Sequence, residues 1–581
     1  MSLARPAAPP VRSRGGRARA VRLAVGLTIT TVCVLACRKN PTVSFEVDVP
    51  AGLSDQAVWV EVAAYPGASC ATLGPQAAAG LPQGYAARIA FRLDDPARPA
   101  MGDLPRKSYA FLGTVRDQAC GVVGLGCVAA DVGGSSDVVV PIQATGTNPA
   151  LGTCAQDATC QDAVCISSTD GTNPAIGSGC TLQMIGAGPL GGRYLDGDTL
   201  ADEYIGAPAV VATPTGFLVA YREIATQLGK GRVRTLTIDP GGGTKGATAS
   251  EVPRCPGDDE HDGVGLGLAG TVGLIAMSRH LCTGKNAGVD YISADATGAV
   301  GGYAAVFNMQ NPEQTVELSY GKTVAPSSVK GLYDVVYLQN GNAIFAQTKV
   351  GALADKPVEA STRIPLFPGG GPYTLAKVAS SDKVVAFLSR SASAAPPPEE
   401  GGVSEGGTGT PTATLHLQIA PAAATPTTFG AQAATDIPAP WGAVAAYADK
   451  VVVLSPGAEQ PLALHVYGPS RTLLAQTEIV TISADPYLDG DVAFVDGRVL
   501  IAASRPGSIS LLALTRGADA GGLLPELLMQ QDPRVPDLRA YRDGHVAIAA
   551  SSTRVLIAWT TATQLVGSDP TGGYALFACA P

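Results

Sequence analysis

The sequence predicts an all-β protein, and three observations support that fold class. Glycine and proline contribute 70 and 44 of the 581 residues, a content that disfavours long helices and suits short strands joined by turns. After residue 36, no 15-residue segment has the apolar periodicity of a helix. Short apolar segments separated by polar turns instead recur through the last two-thirds of the chain. Because 581 residues are too many for one ordinary core, we expect two or three domains.

The clearest copy of the recurring unit lies at residues 491–514. Val492–Val495 is a short apolar strand followed by Asp496-Gly497, a dipeptide that is the strongest short-range signal for a β-hairpin. Arg498–Ala503 then supplies a second strand, and Ile509–Leu514 supplies a third after a Pro-Gly break. This stretch therefore predicts a three-stranded meander.

Similar units can be aligned seven times after residue 190. The recurrence predicts a β-propeller of about seven blades over residues 190–581. Six or eight blades stay open as alternatives because ring closure can split a unit, and a β-helix is the structural rival. Residues 391–412 are a low-complexity segment rich in Pro, Gly and Ser, which we expect to form a disordered surface loop. The aligned segments are 207–221, 264–278, 332–348, 375–389, 441–454, 491–514 and 545–559.

Residues 37–145 precede the repeats and predict a small β domain. Five segments alternate apolar and polar residues with the period of a strand, which suggests an immunoglobulin-like β-sandwich. Phe111–Asp117, followed by Cys120 and Cys127, resembles a small module found in lipoproteins of myxobacteria and related predatory bacteria. The five segments are 43–49, 58–64, 87–93, 108–115 and 137–142.

The first 36 residues have the parts of an export signal. Six arginines precede the apolar run Leu23–Ala36, which is too short for a comfortable membrane span. Val34-Leu35-Ala36-Cys37 resembles the bacterial lipobox. That resemblance implies cleavage before Cys37 and acylation of Cys37, which would hold the chain on a membrane. Arg38 stands where lipoproteins retained at the inner membrane commonly carry Asp, so we expect the outer membrane of a Gram-negative cell envelope. The alternative is an ordinary secretory signal in which Cys37 has no role.

The charge of the chain argues against one class of partner. Residues 1–36 carry six of the 40 Lys and Arg residues and none of the 49 acids, so the remainder has a net charge of 34 − 49 = −15. Binding to nucleic acid requires clusters of Lys and Arg against the phosphates, and the sequence has none. We therefore expect no nucleic-acid partner.

Residues 146–189 form a cysteine-rich linker. Zinc ligation would need Cys-x-x-Cys pairs or nearby histidines, so disulfides are the better interpretation in an exported chain. We expect Cys255 to pair with Cys282, and a Cys180–Cys579 bond would close the propeller covalently, although Cys579 could pair elsewhere. Connectivity otherwise stays open. The ten candidates after Cys37 are Cys70, Cys120, Cys127, Cys154, Cys160, Cys165, Cys180, Cys255, Cys282 and Cys579.

Acidic clusters are the best candidates for chemistry. Asp196, Asp198 and Asp202 have oxygen ligands at a spacing that could hold a structural Ca²⁺, although a plain turn explains them as well; no other cofactor is indicated. Residues 258–262 (DDEHD) could supply an acid/base pair or metal ligands, but loops this acidic are usually just solvated. His416 and His465 lie in predicted third strands, where we expect packed structural histidines.

The sequence carries no recognisable catalytic motif, so we assign no catalytic residue. Nucleophile elbows, phosphate-binding glycine loops and His-Glu-x-x-His are absent from it. The leading hypothesis is a lipid-anchored envelope protein whose propeller binds a protein or glycan. The rival is a secreted propeller enzyme, of glycoside hydrolase or lyase type, with carboxylates at the channel mouth.

Overall fold

A computed structural model describes most of the chain between residues 43 and 580. The longer stretches that it does not describe are 95–100, 146–152, 168–180, 191–202, 254–263, 280–287, 306–315, 392–412, 423–433, 480–486, 517–522, 530–544 and 561–571. The shorter ones are 75–76, 78–80, 83–84, 86, 102–103, 105–106, 134–136, 155–157, 162, 226–229, 320, 362, 368–370, 457–461, 488, 496–497 and 506–507.

The N-terminal domain is built from two packed β layers. One layer is a sheet with strand order β3-β2-β4-β5-β7, and the other is the parallel pair β1 and β6. Apolar side chains from both layers form a shared core that includes Phe45, Phe91 and Phe111. The predicted all-β class is thus confirmed for this domain, and the immunoglobulin-like sandwich stays a prediction. The elements are β1 (Ser44–Asp48), α1 (Ala51–Ser54), β2 (Trp59–Pro66), α2 (Cys70–Leu73), β3 (Ala87–Arg92), β4 (Ser108–Arg116), β5 (Val122–Asp131), β6 (Asp137–Pro141) and β7 (Gln143–Ala144).

A buried charge cluster joins the central strands of this domain. Glu61 on β2 accepts hydrogen bonds from Arg88 Nε (2.8 Å), Thr114 Oγ1 (2.8 Å) and Arg116 Nε (3.1 Å). Burial by itself would raise the pKa of Glu61. The positive charges of Arg88 and Arg116 lower this pKa by a larger amount, so the pKa is about 2. The carboxylate therefore stays ionised and links three neighbouring strands.

One disulfide lies within the N-terminal domain, and a second connects the domain to the segment that follows it. Cys70–Cys127 joins α2 to β5, and Cys120–Cys160 joins the end of β4 to the next segment of chain. That segment contains the hairpin β8 (Ala158–Gln161) and β9 (Val164–Ser167), in which Cys160 lies opposite Cys165. Cys154 is also disulfide-bonded. The disulfide interpretation is thus confirmed for Cys70, Cys127, Cys120, Cys160 and Cys154, and it stays a prediction for Cys165 and Cys579. Cys180, Cys255 and Cys282 lie outside the described part of the chain.

The rest of the chain has a propeller arrangement with six separate blade sheets. In blades 2, 4, 5 and 6 the chain runs outward through antiparallel strands in sequence order, and in blade 1 both β11 and β12 pair with β13. Blade 1 contains β11 (Glu203–Ile205), β12 (Ala209–Thr213), β13 (Gly216–Ala225), β14 (Lys230–Ile238) and β15 (Thr244–Pro253). Blade 2 contains β16 (Val264–Ala269), β17 (Val272–Arg279), β18 (Gly288–Asp295) and β19 (Val300–Ala305). Blade 3 contains β20 (Val316–Glu317), β21 (Val324–Pro326), β22 (Leu332–Gln339), β23 (Asn342–Lys349), β24 (Val358–Glu359) and β25 (Ile364–Pro365).

The last three blades follow the same plan. Blade 4 contains β26 (Tyr373–Ser380), β27 (Val384–Ser391), β28 (Thr414–Pro421) and β29 (Thr435–Pro438). Blade 5 contains β30 (Ala443–Tyr447), β31 (Lys450–Pro456), β32 (Leu462–Tyr467) and β33 (Leu473–Ile479). Blade 6 contains β34 (Asp489–Val495), β35 (Arg498–Arg505), β36 (Ser508–Arg516) and β37 (Leu523–Met529). The three strands predicted from residues 491–514 are all present, and Val495 lies opposite Arg498 as a two-residue turn requires.

Two details of the sequence prediction were wrong. The segment 332–348 was aligned as the first and second strands of its unit, but it forms β22 and β23, the second and third strands of blade 3. The true first strand of this blade is split into β20 and β21, which are too short to show a periodicity. Ser391, placed in the low-complexity loop, is instead the last residue of β27, because it pairs with Thr414.

A closing unit joins the end of the propeller to its beginning. The strands β38 (Val546–Ala550), β39 (Arg554–Thr560) and β40 (Gly572–Ala580) pair in order, and β10 (Thr181–Pro189) pairs with the outer edge of β40. Residues 181–189 belong to the segment predicted as a linker, but they form this strand. The suggested Cys180–Cys579 bond is the one sequence feature that pointed to a connection between these two parts of the chain. The seven aligned units thus correspond to six separate blade sheets and this closing unit, which belongs to a nine-stranded sheet.

The other edge of β10 meets the N-terminal domain. Ala187 pairs with Arg88 on β3, so the sheet of the domain continues into the closing unit. The β14–β15 turn lies against this junction, where Ala90 N donates to Gly241 O (3.0 Å) and Tyr574 Oη donates to Gly242 O (3.0 Å). A Cβ on Gly186 would lie 2.7 Å from the Cα of Gly242, so both positions require glycine. The domain and the propeller are therefore joined by backbone contacts.

We expect Glu61→Gln to destabilise the N-terminal domain. The change leaves two buried arginine charges without their counter-ion, which costs about 3 kcal/mol. Since the pKa of Glu61 falls on folding, its stabilising contribution is complete above about pH 4.5 and is lost as the pH falls towards 2. Urea midpoints of the variant and the wild type should therefore differ at pH 7 and converge towards pH 2.

Asp94→Asn provides the matched control. Asp94 forms an exposed ion pair with Arg92, with 2.9 Å between Nε and Oδ1, so its loss should leave the urea midpoint unchanged. Equal midpoints for the wild type and Glu61→Gln at pH 7 would show that the buried cluster does not stabilise the domain.

Candidate functional site

The innermost strands of the blades form a closed ring of contacts. In order they are β12, β16, β21, β26, β30, β34 and β38, and β38 contacts β12 again. Their residues are mostly Ala, Val and Gly, as in β30 (AVAAY) and β38 (VAIAA). Small side chains allow neighbouring inner strands to approach the ring centre closely.

The long connections of the propeller concentrate on one face. In an antiparallel blade, the connection from the second to the third strand and the connection to the next blade leave from the same end of the sheet. We call this end the long-connection face. Its connections include residues 254–263, 306–315, 392–413, 480–488, 530–545 and 561–571.

The opposite face has mostly tight turns. First and second strands are connected there by pairs of residues such as 214–215, 270–271 and 448–449. Residues 422–434 of blade 4 are a longer connection on this opposite face. Because long surface loops carry most binding and catalytic residues, the long-connection face is the candidate functional surface.

Two buried aspartates lie where β34 begins at this face. Asp489 Oδ2 accepts a hydrogen bond from Val546 N (3.2 Å), and Asp491 Oδ2 accepts one from Ile548 N (3.0 Å). Asp489 bonds to Val546, and Asp491, two residues later, bonds to Ile548, also two residues later. β34 and β38 therefore run in the same direction. In the described residues, β38 is the edge strand of its sheet and pairs only with β39. The two carboxylates accept hydrogen bonds from backbone N–H groups on the other edge of β38.

Lys322 reaches this acidic pair from the other side of the ring. It lies between β20 and β21 of blade 3, and its carbonyl accepts a hydrogen bond from Val378 N of blade 4. Its Nζ lies 3.1 Å from Asp491 Oδ1 and also donates to the carbonyl of Val492. Because blades 3 and 6 are not neighbours in the ring, this ion pair crosses the centre of the propeller.

The acidic pair is closed to substrate. The side chains of Asp489 and Asp491 are 3% and 5% exposed, and His545 Nδ1 lies 3.4 Å from Asp489 Oδ2. A catalytic carboxylate must touch the substrate or a water molecule attacking it. These groups therefore act as connections between blades, although two carboxylates and a histidine do converge here.

Most residues singled out from the sequence lie outside the described part of the chain. This applies to Cys37, to Asp196, Asp198 and Asp202, and to the acidic run 258–262. Among the residues that the structure describes, no group of three or more His, Cys, Asp or Glu side chains could hold a metal ion. No helix in those same residues is long and apolar enough to cross a membrane.

The two predicted structural histidines have different surroundings. His465 on β32 is buried beside the ring of Tyr467, and its Nε2 lies 3.4 Å from Ser455 Oγ. Burial lowers its pKa, so it fits a packed neutral histidine. His416 on β28 is partly exposed and hydrogen-bonds two polar side chains. Sequence patterns alone could not separate the two, because both lie in third strands.

Comparison with known proteins does not assign the chain to a family. No protein-family model matches the sequence, and no curated protein matches it. Among solved structures, the chain is similar to the β-propeller domain of the Trilobed protease from Pyrococcus furiosus, with a TM-score of 0.33 and 11% identity over 63% of this chain and 92% of that one. AofleA from Arthrobotrys oligospora gives a TM-score of 0.32 and 12% identity over 62% and 92% of the two chains. An acylaminoacyl peptidase from Pyrococcus horikoshii gives 0.34 and 9% over 66% and 54%. Likeness this distant carries no argument about function.

We expect Asp491→Asn to destabilise the propeller by about 3 kcal/mol, because it leaves Lys322 without its counter-ion at the ring centre. Lys322→Met should be destabilising for the converse reason. The double variant should be less destabilised than the sum of the two single changes, since each change removes the same interaction. Denaturant midpoints of the wild type and the three variants measure this coupling.

Asp449→Asn is the matched control for this cycle. Asp449 forms an exposed pair with Lys450, with 3.1 Å between Oδ1 and Nζ, and its loss should leave the midpoint unchanged. Strict additivity of the Lys322 and Asp491 changes would mean that the ion pair across the ring does not stabilise the fold.

Proposed function

We propose that this chain is a binding scaffold whose propeller holds a protein or glycan ligand at the long-connection face. One observation carries the proposal, namely that the long connections leave from one face while the opposite face has mostly tight turns. A rigid ring that displays long loops on one side is a common arrangement for ligand recognition. The closing unit counts in this proposal as a seventh blade.

The buried state of the acidic pair supports a scaffold over a carboxylate enzyme. Glycoside hydrolysis needs two carboxylates that reach the bond being cleaved. Asp489 and Asp491 instead accept hydrogen bonds from backbone N–H groups and are almost fully buried. The small apolar residues of the inner strands offer no alternative acid at the ring centre among the described parts of β12, β16, β30 and β38.

The scaffold is held on the cell envelope through Cys37 in this proposal. The support comes from the sequence: an arginine-rich start, the apolar run Leu23–Ala36 and the four residues that resemble a lipobox. Several acyl chains, each methylene contributing about 0.8 kcal/mol, would hold the propeller on the membrane permanently. The expected location is the outer membrane of a Gram-negative bacterium.

We expect ligand binding to depend on connections of the long-connection face. The full-length chain with Cys37→Ala, which removes the acylation site, would be tested against a glycan panel and against envelope extract. Replacing residues 306–315 or 530–544 by Gly-Ser linkers of equal length should weaken binding of the identified ligand at least tenfold. Titration by calorimetry measures the affinity.

The matched control is the same replacement of residues 422–434, which connect strands at the opposite face. Affinity should then equal that of the starting protein. The proposal is contradicted if only this control variant loses affinity for the ligand. It is also contradicted if the starting protein binds no glycan of the panel and no protein of the envelope extract.

The anchor has its own test. Growth of a Gram-negative expression host with a radioactive fatty acid should label the wild-type protein and fail to label Cys37→Ala. Cys33→Ala changes a cysteine within the apolar run and should be labelled like the wild type. Equal labelling of all three proteins would show that Cys37 is not acylated.

A further inference from the structure

Three polar side chains on blade 4 are linked in a row of hydrogen bonds. Ser391 Oγ lies 2.7 Å from His416 Nε2, and His416 Nδ1 lies 2.7 Å from Asp436 Oδ1. The three residues belong to the neighbouring strands β27, β28 and β29. A hydroxyl, an imidazole and a carboxylate in this order are the groups of a nucleophilic serine site.

The register of the blade produces this row. His416 lies directly opposite Ser389 on β27 and opposite Asp436 on β29. Side chains two residues apart on a strand point to the same face of the sheet. The side chains of Ser391, Ser389 and His416 therefore lie on one face of blade 4. Ser391 ends its strand at the long-connection face, where the site can be reached from outside.

Aromatic side chains hold the imidazole in place. The ring of Tyr373 is edge-on to His416 with 5.6 Å between centroids, and the ring of Phe367 lies at 6.1 Å. The hydroxyl of Tyr373 donates to the carbonyl of Phe367 (3.0 Å), which fixes the two rings relative to each other. The His416 side chain is 17% exposed and that of Asp436 is 64% exposed, so solvent and a small substrate can approach.

The hydrogen-bond partners determine the tautomer of His416. A carboxylate at Nδ1 accepts a hydrogen bond, so Nδ1 carries the proton and Nε2 presents its lone pair. The hydroxyl of Ser391 then donates to Nε2. This polarises the hydroxyl oxygen and places a base at the proton that a nucleophilic attack must release.

We propose that Ser391 is a nucleophile that cleaves a carboxylic ester, with His416 as its general base and Asp436 as the residue that positions His416. Ser391 Oγ attacks the ester carbonyl carbon while its proton passes to His416 Nε2. Collapse of the tetrahedral intermediate breaks the bond to the alcohol oxygen, which takes that proton and leaves as the alcohol. Water then hydrolyses the acyl ester on Ser391 by the same route, releasing the acid.

Blade 5 supplies a comparison within the same chain. Ser455 and His465 have the same local relationship, with the serine two residues beyond the cross-strand partner of the histidine. Their Oγ–Nε2 distance is 3.4 Å, and Gln476 lies opposite His465 where Asp436 lies opposite His416. Ser455 is also buried. This pair therefore lacks the short hydrogen bond, the opposing carboxylate and the access that distinguish Ser391.

The test is covalent labelling of the full-length protein with a fluorophosphonate, which phosphonylates polarised serines. Peptide mass spectrometry should find the adduct on Ser391 at least tenfold faster than on Ser455. Ser391→Ala should abolish it, and Ser455→Ala should be labelled like the wild type. His416→Ala should slow labelling by about 100-fold or more, the usual contribution of a general base.

Asp436 is tested by conservative replacement. Asp436→Asn should slow labelling and p-nitrophenyl acetate hydrolysis at least tenfold, and Asp436→Glu should restore most of both rates because it keeps the carboxylate. Far-ultraviolet circular dichroism and thermal midpoints show whether each variant is folded. Labelling of Ser391 that is no faster than that of Ser455, or that does not change in a folded His416→Ala variant, overturns the proposal.

Discussion

The pairing of β10 with β40 is the interaction on which the rest of the structure depends. A strand from before the first blade that pairs with the last sheet holds the ring together where its two ends meet. β10 supplies this link from Thr181–Pro189, before the first blade, and pairs along the whole length of β40. Its second edge pairs with β3 at Ala187, opposite Arg88. Ring closure and domain attachment are thus properties of one strand.

Buried charge plays the same joining role in both parts of the molecule. Glu61 links three strands of the N-terminal sheet, and Asp489 and Asp491 link β34 to β38. Glu61 and Asp491 each accept several hydrogen bonds, which offsets the cost of removing these carboxylates from water. Innermost strands built from Ala and Val have no side chains that could satisfy a neighbour's N–H groups. The aspartates provide that function at the point where two inner strands meet.

Local sequence patterns predicted many of the propeller hairpins. The strands that these patterns missed form through pairing with residues distant in sequence or at the edge of a blade. Hairpins with strong apolar strands and tight turns, such as the one around Asp496-Gly497, were found because two residues determine their register. Outer strands such as β15 (TKGATASEVP) and β29 (TDIP) carry no alternation, since they pack on one blade edge only. β5 was missed because Gly124 and Gly126 interrupt its pattern, and a Cβ on Gly126 would lie 2.1 Å from the carbonyl of Pro141. Ser391 was assigned to a loop because its pairing with Thr414, across a long insertion, leaves no mark in the local sequence.

The distance along the chain between β10 and β40 also determines the order in which the protein can fold. Synthesis delivers β10 before every blade, whereas its partner β40 follows all six separate blade sheets, so β10 keeps one edge unpaired until the whole propeller has been made. Contacts this far apart in sequence form slowly, because the loop between them must lose its freedom first. A variant that lacks β40 would lose the partner of β10 while all six separate blade sheets remained encoded. The β10–β40 pairing can therefore form only after all blades have been made, and a product without β40 would present an open sheet edge to chaperones and proteases.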